Sequence, residues 1–211
     1  MANLTLVERK ERRALAKATI SVLKKIARPH KWKVARGSLF REHNGWFIEV
    51  WTDISPWERK TDAHLKFKPM AVDPTFWEIV GFPENSGMPL SFRAFGAWVC
   101  GSPTIAKTSI KEDDGSPEAI AGNILAWVNA QMTQALMRAD HESYLDLLTS
   151  KGDGYFDTRI ALLCTIGRYA EARRECRQAV EREFGGGFEK IGKDGEGTTF
   201  PMMVLDWIDR R

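Results

Sequence analysis

Asn44-Gly45 sits between two runs rich in β-branched and aromatic residues, Leu39-Phe40-Arg41 before it and Trp46-Phe47-Ile48-Glu49-Val50-Trp51 after it. The dipeptide tolerates the two positive φ angles of a type I′ turn, whose twist matches that of the strands it joins. The spacing therefore predicts a hairpin over residues 38–54, and a two-residue loop sets its register. His43 then faces Trp46, Arg41 faces Ile48 and Leu39 faces Val50 on one side of the sheet. Glu42 with Phe47, Phe40 with Glu49 and Ser38 with Trp51 occupy the other, so one face mixes carboxylates with aromatic rings.

Upstream, Thr5 and Glu8 have capping-box spacing, which predicts a helix starting near Leu6 and ending before Pro29. Its apolar stripe is Leu15, Ala18, Thr19, Val22 and Ile26, with Arg13, Lys17, Lys24 and Arg28 on the opposite side. Charge is concentrated here. Eleven Lys and Arg up to Arg36 stand against Glu8 and Glu11, so this segment carries +9 and the remainder −6 of a total of +3. Such a face suits phosphate contact, and it equally suits a solvated helix.

Downstream, residues 64–70 alternate, with Leu65 and Phe67 on one side and His64, Lys66 and Lys68 on the other, as a third strand would. Asp73-Pro74 reads as an N-cap and first helical position for a short helix that stops at Gly81. The apolar run over residues 91–100 reads as a strand buried on both faces, with residues 104–110 returning beside it. Beyond the acidic, turn-forming stretch Glu112-Asp113-Asp114-Gly115 the period changes from two to 3.6. Helices are expected from Pro117, after Asp140, over residues 158–165 and over 169–184. A glycine-rich loop over 185–197 and a last short helix follow.

The fold expected is therefore α+β: a small, mainly antiparallel sheet of about five strands with an N-terminal helix, then an all-helical C-terminal half. The boundary falls at 112/113, giving halves over residues 1–112 and 113–211, packed on each other and possible to count as one composite domain.

Leu162-Leu163-Cys164-Thr165-Ile166-Gly167-Arg168-Tyr169-Ala170-Glu171-Ala172, with Cys176 and Ala179, resembles the turn and second helix of one tetratricopeptide repeat. Without a second copy at that family's period the resemblance implies a helical hairpin and not an array. The order of basic helix, Gly37, Phe40 and Arg41, hairpin and trailing helices also resembles bacterial families known only as domains of unknown function. That resemblance implies a bacterial source and carries no chemistry.

Chemical signatures are sparse. Gly187-Phe188-Glu189-Lys190-Ile191-Gly192-Lys193 has the glycine spacing of a phosphate loop, but Asp194 stands where Ser or Thr would hold magnesium. The four histidines are scattered and the three cysteines lack paired spacing, so no metal, cofactor or disulfide framework is expected. Cysteine usage and the absence of a secretory leader or an apolar run of membrane length point to the cytoplasm and away from a membrane. No nucleophile motif stands out, and no catalytic residue is assigned.

The best constellation is Glu42, Glu49 and Asp53 alternating beside Phe40, Phe47 and Trp51, with Lys66 and Lys68 on the adjacent strand. Apolar neighbours raise a carboxyl pKa, while the plainer reading is ion pairing around the rings. These eight residues are the candidates for ligand or partner binding. The first functional expectation is a non-catalytic binding or protein-interaction module whose partner is another protein, with Trp46 and Trp57 as exposed anchors. The second is an enzyme or ligand-binding protein acting on a small polar molecule at the junction of sheet and helices. Nucleic-acid binding through the first helix, with Trp32 among its basic residues, ranks third.

Overall fold

In the computed structural model, which describes residues 4–110, 112, 115–136, 139–191 and 196–211, the chain opens with α1 (Leu6–Ala27). Four strands follow: β1 (Lys33–Ala35), β2 (Ser38–His43), β3 (Trp46–Ile54) and β4 (Thr61–Pro69). Next come α2 (Val72–Val80), α3 (Phe92–Phe95), β5 (Thr104–Ile110) and α4 (Pro117–Leu136). The remainder comprises α5 (His141–Ser150), α6 (Phe156–Thr165), α7 (Tyr169–Glu181), the short strands β6 (Glu189–Ile191) and β7 (Gly197–Thr199), and α8 (Phe200–Asp209). The fold is α+β, with a five-stranded antiparallel sheet in the order β1-β2-β3-β4-β5.

The chain divides into two compact units. The first holds residues 4–43, 47–67 and the described residues of 104–138. The second holds residues 44–46, 68–103 and 139 onward. Each unit is therefore stitched from separate stretches of sequence, and α4 belongs with the sheet.

In the first unit, the Thr5 hydroxyl accepts the Glu8 N–H at 3.3 Å while the Glu8 carboxylate accepts the Thr5 N–H at 2.9 Å, the reciprocal cap expected from the spacing. The inward stripe of α1 is turned by one position from the expected one. Its buried residues are Arg12, Thr19, Leu23 and Ala27, while Leu15, Ala18, Val22 and Ile26 are half-buried flanks. Arg12 can face inward because its guanidinium donates to the Ser55 and Lys60 carbonyls and the Glu112 carboxylate, leaving its buried charge paired. Arg13, Lys17, Lys24 and Arg28 are exposed.

The hairpin turns at Asn44 and Gly45, with φ of 49° and 79°. Far from the turn, the Thr52 N–H donates to the Gly37 carbonyl at 3.2 Å, the partner that a two-residue loop demands when no residue is inserted or skipped. A second tight turn was not expected: Arg36 and Gly37, φ 48° and 82°, reverse the chain from β1 into β2, with Ala35 opposite Ser38. β1 is only three residues long and lies in a charged stretch, too short to show alternation. β5 pairs with β4, not with residues 91–100, and a bulge interrupts the ladder between Leu65 and Lys66.

The second unit corrects several expectations. Residues 91–100 form no strand; they contain the short α3 and then irregular backbone. Their polar groups are claimed by buried partners that a sheet would have displaced. The Lys68 ammonium donates to the carbonyls of Arg93 and Cys100, the Cys100 N–H to Asp73 Oδ1, and the Trp77 indole N–H to the Trp98 carbonyl. Nor does Asp73 cap α2. The cap position is Ala71, and the Asp73 carboxylate, fully buried, faces Lys68 at 2.9 Å and Arg93 at 2.8 Å.

α6 and α7 form a helical hairpin that turns at Gly167, φ 78°, with Ala172, Cys176 and Ala179 fully buried. Trp46, expected as an exposed anchor, is buried edge-on against Tyr144 at 5.4 Å. Within the expected loop 185–197, β6 and β7 pair antiparallel, and residues 192–195, including the last two positions of the phosphate-loop resemblance and Asp194 after it, lie outside the described residues. Among the described residues, no helix is long and apolar enough to cross a membrane.

Two substitutions test this frame. Asp73→Ala leaves the Lys68 ammonium buried opposite no carboxylate, and should cost about 3–5 kcal/mol in urea unfolding. Gly45→Ala meets nothing within 4 Å, so its cost is backbone strain alone, about 1–2 kcal/mol by the same measurement.

Candidate functional site

The eight residues singled out in the sequence do not gather into one site. Phe40, Phe47 and Glu49 share a sheet face as expected: the two rings lie 6.4 Å apart, and the Ser38 hydroxyl donates to Glu49 at 3.3 Å. All three are buried. Glu42 and Asp53 are exposed, Lys66 is half-buried, and Trp51, 40% exposed, lies 5.2 Å from the His64 ring. Beside His64, a shallow hollow of about 290 Å³ is lined by Lys60, Asp62, Lys107 and Ser109. Its carboxylate is already taken by Lys60 and the Ser109 hydroxyl, each at 2.7 Å. Lys68 belongs to the buried Asp73 cluster and is fully enclosed.

The better site lies wholly within the second unit, in a cavity of about 520 Å³. Three segments wall it. Residues 96–101 supply Trp98 and Cys100, residues 153–158 supply Tyr155 and Asp157, and residues 184–188 supply Phe184 and Phe188 around a run of glycines; Phe76 of α2 adds a further ring. The rings are set across one another: Trp98 and Phe188 are 4.6 Å apart at 84°, and Phe76 and Phe188 are 5.9 Å apart at 86°. Trp98 is held in the left-handed region, φ 59°, and is 48% exposed.

Asp157, near the start of α6, is the chemically distinctive residue. Its Oδ2 accepts the Gly187 N–H at 2.9 Å, while Oδ1 is sealed from solvent and receives no hydrogen bond. The glycines make this possible. A Cβ on Gly186, φ 72°, would stand 2.4 Å from Oδ1, and one on Gly187 would stand 3.1 Å from Oδ2. Burial pushes the carboxyl pKa from an ordinary 3.8 up to about 6, against the opposing Gly187 hydrogen bond. A buried acceptor without a donor costs free energy.

The cavity offers binding more readily than covalent chemistry. Cys100 is the thiol in its wall, and burial, reinforced by Asp73, raises its pKa well above the ordinary range, keeping it protonated. Its remaining polar contacts are structural, as where the Thr158 hydroxyl donates to the Gly101 carbonyl at 2.9 Å. Among the described residues, no three His, Cys, Asp or Glu side chains gather as a metal site.

Local sequence signals for this site were weak. Asp157 looks like an ordinary acidic residue of a first helical turn, and the glycines over 185–187 look like a loop. The one available signal was three consecutive glycines flanked by Phe184 and Phe188.

Because the folded protein holds the Asp157 proton more tightly than the unfolded chain, its contribution to stability is fully present below about pH 4. It is lost as pH rises through about 6, a change of roughly 3 kcal/mol. The difference in unfolding free energy between the native protein and Asp157→Asn, measured from pH 4 to 8, should show that slope, with the variant the more stable above pH 6.

Searches against family models, curated proteins and solved structures found no match to this chain.

Proposed function

We propose that this chain is a non-catalytic binding protein, and that the cavity of its second unit takes a small molecule oriented by Asp157. One observation carries the reading: a carboxylate with an undonated, buried Oδ1 stands in the wall of an aromatic cavity. The volume, about 520 Å³, falls within the range of small-molecule sites, in which apolar walls supply area and a few polar groups fix orientation. The protonated Cys100 thiol argues against nucleophilic catalysis at the same place.

The other expectations have less behind them. A protein-binding sheet face loses Phe40, Phe47 and Glu49 to burial, and Trp46 is not an available anchor. Trp57 is 53% exposed, with the Arg9 guanidinium 4.4 Å above its ring. For nucleic acid, α1 does present basic side chains, but Trp32 is buried and donates its indole N–H to Asn129 at 3.2 Å, so it is not free to stack on a base.

A protein-observed NMR screen of a fragment library against the full chain tests the proposal. Bound fragments should compete with one another and shift the Trp98 indole resonance. A screen without hits, or with hits that leave Trp98 unmoved, overturns it.

A further inference from the structure

We propose that the ligand class of this cavity is an organic ammonium: a protonated primary or secondary amine on a compact, largely apolar body. The inference rests on the cavity being a binding site, and it names what the site selects.

Charge is the first argument. The described residues lining the cavity include two carboxylates, Asp153 and Asp157, and no Lys, Arg or His. Asp153 is already paired with Arg182 at 3.0 Å, and that guanidinium lies 4.8 Å from the Phe184 ring. Among the described residues Asp157 has no such partner, and the backbone N–H of Gly187 is its sole donor. An anionic ligand would meet an uncompensated carboxylate, whereas a cation supplies the missing charge.

The rings make the same selection. An aromatic face carries negative potential, and a cation within about 6 Å of a ring centroid is attracted to it, more strongly when desolvated. Trp98 is 48% exposed and offers its ring, whereas Phe76 and Phe188 are buried against their neighbours. An organic cation can use the Trp98 ring and the carboxylate together. A hard metal ion cannot, because it requires several oxygen ligands, and Asp157 offers one uncommitted oxygen.

Hydrogen bonding narrows the class further. The Asp157 carboxylate borders the cavity and, among the described residues, accepts only the Gly187 N–H, so it has capacity for the N–H of a protonated primary or secondary amine, which a quaternary ammonium lacks. The cavity should therefore favour amines over their trimethylated counterparts, the reverse of a cage made of rings alone. The same chemistry could arrive on a free amine or on a lysine side chain of a peptide.

Isothermal titration of the full chain at pH 8, where Asp157 is ionised, distinguishes the outcomes. The probes are phenethylamine, its neutral alcohol analogue, its trimethylammonium analogue and a short lysine-containing peptide. Either phenethylamine or the peptide should bind, identifying the source. Each analogue should bind about tenfold or more weakly than phenethylamine, and Asp157→Asn should weaken the amine by about tenfold to a hundredfold. Trp98→Ala, at an exposed position, should weaken it several-fold through the lost ring. Thermal melting and a two-dimensional NMR spectrum establish that each variant is folded.

Equal binding of amine and alcohol, or an unchanged affinity in folded Asp157→Asn, overturns the ammonium assignment and leaves the cavity reading standing. Fragments that bind at Trp98 while the amine and the peptide do not bind have the same meaning. If neither fragments nor amines bind, the cavity reading falls as well.

Discussion

The carboxylate of Asp73 is the contact on which the second unit depends. Its Oδ1 accepts from the Lys68 ammonium and the Cys100 N–H, each at 2.9 Å, and its Oδ2 accepts from Arg93 at 2.8 Å. Lys68 is fully buried, and its other donors go to the carbonyls of Cys100, at 2.7 Å, and Arg93, at 3.3 Å. An ammonium so enclosed is tolerable only when its charge and its protons are matched together. That requirement pins the chain at Arg93 and again at Cys100, while the Trp77 indole holds the Trp98 carbonyl between them. One wall of the aromatic cavity is thus set by a polar cluster behind it, and Trp98 keeps a left-handed backbone because both flanks are anchored.

Asp157 presents the opposite economy. Asp73 has three donors for two oxygens, whereas Asp157 has one. Asp73 is wholly removed from water and Asp157 only in part, and the two differ in what replaces the lost hydration. For Asp73 the replacement is complete and the group is structural. For Asp157 burial dominates and the proton is held up to about 6. An incompletely satisfied group in a cavity wall lowers the stability of the fold.

How much of this was legible in the sequence follows from how local each cause is. Asn44-Gly45 needs only its own φ angles, and Thr5 with Glu8 needs only one helical turn, so both were readable. Residues 91–100 were not. An apolar run of that length reads equally as a buried strand or as a wall of rings, and the deciding partners, Lys68 and Asp73, are 20 to 32 positions away. Alternation correctly put Phe40, Phe47 and Glu49 on one face, but it does not say which stretch of a face is covered. Here those three are buried while Trp51 and Asp53, farther along the same strand, meet solvent.

The glycines over 185–187 show why the cavity escaped notice. Glycine in a run ordinarily signals a chain left free to bend, and spacing alone makes residues 187–193 look like a failed phosphate loop. In the fold, the absent side chains serve proximity: Gly186 lets the backbone come closer to the Asp157 carboxylate than a Cβ would permit, and Gly187, 30 positions after it, brings up its N–H. Phosphate loops use glycine to bring N–H groups up to an anionic ligand. Here the anion is the protein's own, it occupies the Gly187 N–H, and its second oxygen is left without a donor. The same local chemistry that would capture a phosphate is thereby turned on the protein's own carboxylate.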